Sequence, residues 1–580
     1  MSESAAPLRR LARLLWRAAR AIVFAIGLVT ILLAGAGLWG LHRLAGRPTA
    51  LPEHFILSLN LQTAPPDVAA PSALLRRATG ATPTLEQTIA AIDRAATDPR
   101  VRGIDILLGG GCCGLTTAEE LHDALARFRA ISHRQVVARA MSFDGAEGLG
   151  AYIVATAANR IELSDAGDFG VTGLALQSPF AADLLKMAGV EAQFEHIGKY
   201  KTYPELFTRS GPSAAATEMM NSLAGSLYDS ALVPIAARLK RSPDQVKALF
   251  DQAPFSAAQA KQDGLVDTVL PLSAEVAHVR GVHVSLADYV ADAAPAPAGA
   301  PKVALIVAHG DINAPDAPGR RSGIDPARLA HEIATAVADP SIRAIVLRLD
   351  TPGGTVTGSA MVGAEVARAA RLHKPLIVSM GALDASGGYW ISSHGAVLVA
   401  DPATLTGSIG VLGGKFSFGG LLARLGVSVS TASRGANALF DSAVTPWTEA
   451  QLASLQGQLD LDYQKFVGWV AAGRRMSPAQ VNAVGQGRVW TGAQARSRGL
   501  VDRLGGYHEA FMTVRAALHL PADAALDIVP GNEQPGLAAL LATLARQANP
   551  LEAAALPEPL RGLFALTRLH RLSMVPVELR

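Results

Sequence analysis

Hydrophobic and polar positions fall into two regimes along this chain. Residues 21–41 (AIVFAIGLVTILLAGAGLWGL) contain no charge, whereas the rest alternates short apolar runs with amphipathic stretches. The alternation is clearest in the second half. Residues 302–310 (KVALIVAHG) predict a strand, and 326–339 predict a helix from their apolar spacing and leading proline. Residues 343–350 predict the next strand, 359–373 the next helix and 374–381 a third strand. Strands alternating with helices imply an α/β fold built on mainly parallel sheet.

This pattern occurs twice. TDPRVRGIDILL (97–108) corresponds to ADPSIRAIVLRL (338–349), and residues 150–173 correspond to 387–410 at a constant separation of 237. FSAAQAKQDGLVDTV (255–269) and WTGAQARSRGLVDRL (490–504) share AQA, three residues, then GLVD. The chain therefore reads as a tandem duplication, with copies at 51–292 and 302–530, a Pro/Ala-rich linker at 293–301 and a tail at 531–580.

The uncharged run is 21 residues long, and about 20 apolar residues cross a bilayer core as a helix. Arg9, Arg10, Arg13, Arg17 and Arg20 precede it, with Glu3 the only acid, so residues 1–20 are expected to stay cytoplasmic. A cleavable signal peptide has a shorter apolar region of about 7–15 residues. Residues 21–41 are thus expected to be one transmembrane helix in contact with lipid, with the rest of the chain across the membrane. Charge then limits the partners. The 580 residues are 49% apolar and 17% charged, with formal net charge +3. That excludes a disordered acidic chain and gives no concentrated basic face for nucleic acid. Cys112 and Cys113, the only cysteines, exclude a disulfide scaffold and lack zinc-ligand partners. No metal-site or phosphate-loop spacing occurs, so neither a metal nor a cofactor is expected.

Candidate chemistry lies in the second copy. LDTPGGTVTGS (349–359) ends a strand, turns through Pro-Gly-Gly and opens a helix. DASGGYWIS (384–392) puts Ser386 on a strand-to-helix turn followed by two glycines. A serine on such a turn, facing backbone N–H donors, is the layout of a nucleophile with an oxyanion hole. Asp384 and His394 flank Ser386 and invite comparison with a Ser–His–Asp triad, but eight residues of helix aim His394 away.

The strings DTPGG, ASGGYWIS and TLTGSIG resemble the signal peptide peptidase A family in its long, tandem-repeat form, over about residues 50–530. The resemblance implies two Clp/crotonase-like repeats and serine proteolysis by a Ser–Lys pair. The family's nucleophile motif falls on Ser386, and its base motif, GKYK here, falls on Lys201. Its lysine-orienting serine falls on Ser408, and the oxyanion donors on the N–H groups of Gly387 and of the Gly353–Gly354 turn. It further implies apolar peptides such as cleaved signal peptides or unfolded apolar segments as substrates, a homo-oligomer expected to be a tetramer, and a bacterial inner-membrane location with the catalytic part periplasmic.

The duplication divides these residues between copies. Moved back by 237, Ser386 falls on Leu149; moved forward by the same step, Lys201 falls on Ala438. Each copy lacks the other's half, so the pair is expected where the copies meet. Lys199 and Lys415 are rival bases, His196 and the Cys112–Cys113 turn are expected to be structural, and the tail is expected to pack on a neighbour or on lipid, or to be loosely ordered. An acyl-CoA enzyme of the crotonase type and a proteolytically inactive membrane scaffold are the alternatives.

Overall fold

The computed structural model describes residues 50–68, 82–145, 147–271, 281–315 and 323–531, together with Gly27, Leu28, Leu32, Gly35, the strand Leu572–Ser573 and the strand Glu578–Leu579. Most of the apolar run 21–41, and most of the tail, lie outside the described residues. Among the described residues no helix is long and apolar enough to cross a membrane.

The two copies build the same sheet strand for strand. In the first, the order is His283–Ser285, Phe55–Thr63, Val101–Gly111, Gln135–Ala140, Arg160–Ser164 and Thr268–Leu270, with every neighbouring pair parallel. In the second it is Asp527–Pro530, Lys302–His309, Ile342–Thr351, Leu376–Ala385, Val397–Ala400 and Arg503–Leu504, again parallel throughout. The second sheet also branches: Leu405–Gly407 pairs with the end of Leu376–Ala385 and with the antiparallel strand Val489–Thr491. Pro52–Val68 and Pro83–Arg580 cluster into one compact unit that holds both copies.

Local sequence accounts for the correspondence. Helix Leu85–Thr97 is closed at its start by a reciprocal Thr84–Gln87 cap and buries Leu85, Ile89, Ile92 and Ala96. Its counterpart Pro326–Ala338 starts on Asp325, whose Oδ1 accepts from Ala327 N and Arg328 N, and buries Leu329, Ile333 and Val337. Each helix ends on the aspartate of the repeated D-P string. Asp98 Oδ1 accepts from Arg100 N at 2.9 Å, and Asp339 Oδ1 from Ser341 N at 2.8 Å, turning the chain into the next buried strand. The shared GLVD aspartate is likewise used twice, accepting from Ile161 N (Asp267, 2.7 Å) and from Leu398 N (Asp502, 2.8 Å). Tyr152 and Tyr389 are buried equivalents whose hydroxyls donate to Leu265 O and Leu500 O, both at 2.8 Å.

Two element boundaries differ from the sequence reading. The helix expected from 359 spans Val356–Arg371, because Thr355 Oγ1 accepts from Gly358 N and caps it earlier. The strand expected at 374–381 spans Leu376–Ala385, because Leu383, Asp384 and Ala385 find a second partner in Leu405–Gly407. Cys112 and Cys113 are bonded to each other in the buried turn that opens helix Leu115–Ser132.

That helix carries the main polar tie between the copies. Glu120, buried on it, forms an ion pair with the buried Arg348 at 2.7 Å and accepts from Tyr507 N at 2.7 Å. Arg348 also donates to Ser379 Oγ and Met380 O and lies over the Tyr507 ring. Removing one partner of a buried pair strands the other charge, at a typical cost of about 3–5 kcal/mol. Glu120→Ala is therefore expected to lose stability on that scale in denaturant unfolding, and Glu120→Ala/Arg348→Ala less than the sum of the two single changes.

Candidate active site

The antiparallel strands Glu191–Ile197 and Val411–Ser417 join the first copy to the second, with Ile197 opposite Val411. Beyond Ile197 the first-copy chain turns through Gly198, and Tyr200 N donates to Gln486 O at 2.7 Å. Lys201 follows, packed on Gly487. A Cβ on Gly487 would lie 2.5 Å from Lys201 N, and its φ of +74° is in the left-handed region, so glycine is needed there on both counts.

Ser386 ends strand Leu376–Ala385 and begins the short helix Gly387–Ser392. Its backbone has φ 59° and ψ −113°. Such a conformation in a non-glycine residue costs on the order of 1–3 kcal/mol and persists only where its surroundings hold it. Here Ser386 N donates to Gly407 O at 2.8 Å and Ser386 O accepts from Trp390 N at 2.9 Å. Ser408, on the branch strand's far side, also has positive φ (52°) and donates its N–H to Arg488 O at 2.8 Å.

These three side chains meet. Lys201 Nζ lies 2.6 Å from Ser386 Oγ, 3.0 Å from Ser408 Oγ and 3.2 Å from Ser408 O. Ser386, Lys201 and Ser408 are all buried, and Lys201 is only 1% exposed. Burial pushes the Lys201 amine down from its ordinary 10.5 to about 7. Desolvation disfavours the ammonium, and among the described residues no carboxylate acts to restore it.

The glycine turn faces the same point. Gly353 has φ 108°; its N–H donates to Thr351 Oγ1 at 3.1 Å and its carbonyl accepts from Ile312 N at 2.9 Å. That ties Gly353 into the turn and leaves Gly354 as its member facing the helix. A Cβ on Gly387 would lie 3.1 Å from Gly354 N and 2.4 Å from Ser359 Oγ, so the turn and helix approach more closely than any side chain would allow. Sequence reasoning missed Thr351, which fixes the turn, and the Gln486–Gly487 corner, which fixes Lys201; the string GQGRVW carried the only local hint of the latter.

The rival residues stand elsewhere. Lys199 pairs with Glu218 and is 62% exposed. Lys415 Nζ donates to the carbonyls of Phe440, Ser442 and Thr445 and lies over the Trp447 ring, which makes it the anchor of that loop. His394 stacks on Trp469 and its Nε2 lies 3.0 Å from Trp469 O, while Asp384 pairs with Ser392, so no Ser–His–Asp triad forms. A cleft of about 1120 Å³ lined by Leu185, Val190, Phe207 and Gly419 contains none of the three converging residues.

Beside the converging residues, backbone edges take extended segments of the chain's own C-terminal part. Leu572–Ser573 pairs antiparallel with Gly354–Thr355, Leu572 also pairs with Leu412, and Glu578–Leu579 pairs with Leu176–Gln177. Half-buried Leu174, Leu176, Tyr200 and Leu383 pack around the cluster of Met219, Leu223, Ala385 and Leu405 and give this region an apolar wall.

Comparison with known proteins agrees with the duplicated architecture. The Peptidase family S49 pattern matches twice, over residues 134–285 and 368–520. Protease 4 of Salmonella typhi is 34% identical over 392 residues, covering 62% of this chain and 61% of that protein. The chloroplastic serine protease SPPA of Arabidopsis thaliana is 27% identical, covering 75% of this chain and 66% of that protein. Protease 4 of Haemophilus influenzae is 28% identical, covering 72% of this chain and 71% of that protein. The chain thus spans under two thirds of the length of the Salmonella and Arabidopsis relatives. With its pattern matched in both copies and its duplicated sheet formed strand for strand, this chain belongs to Peptidase family S49.

Proposed function

We propose that this chain is a membrane-anchored serine endopeptidase in which Ser386 is the nucleophile, Lys201 the general base and Ser408 the residue that orients the lysine. The observation that carries this reading is the 2.6 Å contact between Lys201 Nζ and Ser386 Oγ in a site with no carboxylate restoring the ammonium. With its pKa near 7, Lys201 holds a substantial neutral fraction at neutral pH. The neutral amine takes the proton from Ser386 Oγ as the oxygen attacks a peptide carbonyl, and the ammonium then returns it to the departing amine. The N–H groups of Gly387 and of the Gly353–Gly354 turn, chiefly Gly354, stabilise the oxyanion of the tetrahedral intermediate. The acyl-enzyme ester is hydrolysed by a water that Lys201 deprotonates in turn.

The proposed substrates are apolar peptides bound as an added strand, of which cleaved signal peptides are the chief class. Two observations favour this: the edges at Gly354–Thr355 and Leu412 take an antiparallel strand from the chain's own C-terminal segment, and the adjoining wall is leucine-rich. Anchoring through residues 21–41 in the bacterial inner membrane, with the catalytic part in the periplasm, would bring the site to such peptides. Assembly as a homotetramer is part of the same proposal.

Ser386→Ala and Lys201→Ala are each expected to lower turnover of an apolar peptide ester by at least about 10⁴-fold. A serine-reactive phosphonate is expected to label the wild type and not Ser386→Ala; labelling that persists would assign the nucleophile elsewhere. Turnover is expected to rise with pH through about 7 as Lys201 loses its proton, and a rate independent of pH from 5 to 9 would contradict a lysine base.

Stability gives an independent check. The folded-state pKa of Lys201 lies near 7, below the ordinary 10.5. Between those values the unfolded chain binds a proton that the folded chain does not, so this residue makes stability rise with pH across that window. Lys201→Met is expected to be inactive, at least as stable as wild type at pH 7, and to lack that rise in unfolding measured from pH 7 to 10.

A further inference from the structure

Asp384 has no part in the chemistry described so far, yet it lies at the centre of the elements that deliver it. It is wholly buried, two residues before Ser386. In the sheet it stands opposite Thr351 on one side, the residue that holds Gly353, and opposite Thr406 on the other, two residues before Ser408. Thr406 Oγ1 donates to Asp384 O at 2.7 Å. The carboxyl spans the turn: Oδ2 lies 2.5 Å from Oγ of Ser392, the buried last residue of helix Gly387–Ser392. The other oxygen, Oδ1, has no hydrogen-bond partner among the described residues and packs on Gly388, where a Cβ would lie 2.4 Å from it.

We propose that Asp384 is a positioning residue whose carboxyl, bonded to Ser392, clasps the end of strand Leu376–Ala385 to the end of helix Gly387–Ser392 and so holds Ser386 in the conformation that aims its hydroxyl at Lys201. The inference rests on reading Ser386 as the nucleophile. Ser386 is the one residue between strand and helix, and its positive φ must be imposed by what surrounds it. The Ser386 N–Gly407 O bond fixes the strand side of the turn, and the Asp384–Ser392 bond fixes the helix side.

Both protonation states leave Oδ2 as the acceptor for the Ser392 hydroxyl, but burial favours the carboxylic acid. A carboxylate there would bury a charge with one oxygen unpaired, which is costly in a dry site. Burial, with Asp350 adding to it and the Ser392 bond opposing, raises Asp384 to about 7. The titratable groups facing it are Asp350, from strand Ile342–Thr351, and Tyr389, from the helix.

The test uses the full chain, with Asp384→Ala, Asp384→Asn and Ser392→Ala compared for kcat, KM and kcat against pH on an apolar peptide ester, beside Ser386→Ala. Asp384→Ala and Ser392→Ala are expected to lower kcat by about 10–100-fold with KM unchanged, the scale of a small misalignment of a reacting group. Asp384→Asn, whose amide oxygen can still accept from Ser392, is expected to retain most of kcat at neutral pH. Wild-type kcat in Asp384→Ala, or Asp384→Asn as impaired as Asp384→Ala, overturns the clasp. If Asp384→Ala does not fold, Ser392→Ala decides, and wild-type kcat there overturns it equally. Wild-type activity in Ser386→Ala would overturn the nucleophile assignment instead, whatever the Asp384 variants do.

Discussion

An amine buried against a serine hydroxyl, with no carboxylate to keep it charged, is the constraint on which the rest of this structure depends. In water a lysine amine carries a proton at neutral pH and cannot accept another. To hold Lys201 at 2.6 Å from Ser386 without a counter-ion, the fold must exclude water from it on every side. The first copy supplies the lysine; the second supplies Ser386, Ser408, the Gln486–Gly487 corner and the sheet beneath. Neither copy could bury the amine alone, so desolvation and docking of the copies are one event.

That dependence gives a reason for where polar groups are buried between the copies. The strand pair Glu191–Ile197 and Val411–Ser417 fixes how far Lys201 reaches, because a one-residue slip would turn its neighbours to the other face. The Glu120–Arg348 pair ties helix Leu115–Ser132, which follows the Cys112–Cys113 turn, to the strand that leads to Thr351 and the glycine turn. A buried ion pair contributes little net stability, but a mismatched partner is penalised heavily, which suits a contact that has to specify one docking geometry. The Cys112–Cys113 turn thus serves the first copy as a platform, and Gly150 keeps the close helix approach seen again at Gly387.

Much of this was legible in the sequence, and what was not has a physical cause. The strand runs, the D-P turns and the GLVD aspartates carry local signals, since caps and buried strands are written in neighbouring residues. Ser386 and the glycine turn were visible for the same reason. The assignment of Lys201 came through the resemblance of GKYK to a known motif, because nothing local says that a lysine will be desolvated by residues 185 positions away. Contacts between distant polar side chains stayed hidden: Glu120 with Arg348, Asp384 with Ser392, and the Thr351 hydroxyl that occupies the Gly353 N–H. Asp384 drew attention beside His394, but which of its neighbours it faces is decided by the bend at Ser386. Most of the apolar run 21–41 lies outside the described residues, so its reading as an anchor still rests on sequence.

The claim that most needs measuring is that Lys201 is a neutral base. Its amine can be titrated by heteronuclear NMR of the protein carrying isotopically labelled, unmodified lysine, the signal being assigned by its absence in Lys201→Met. A midpoint near 7 is the predicted result; a midpoint near the ordinary 10.5 would mean that the amine is solvated and charged in the working enzyme, and the account of this site would fail.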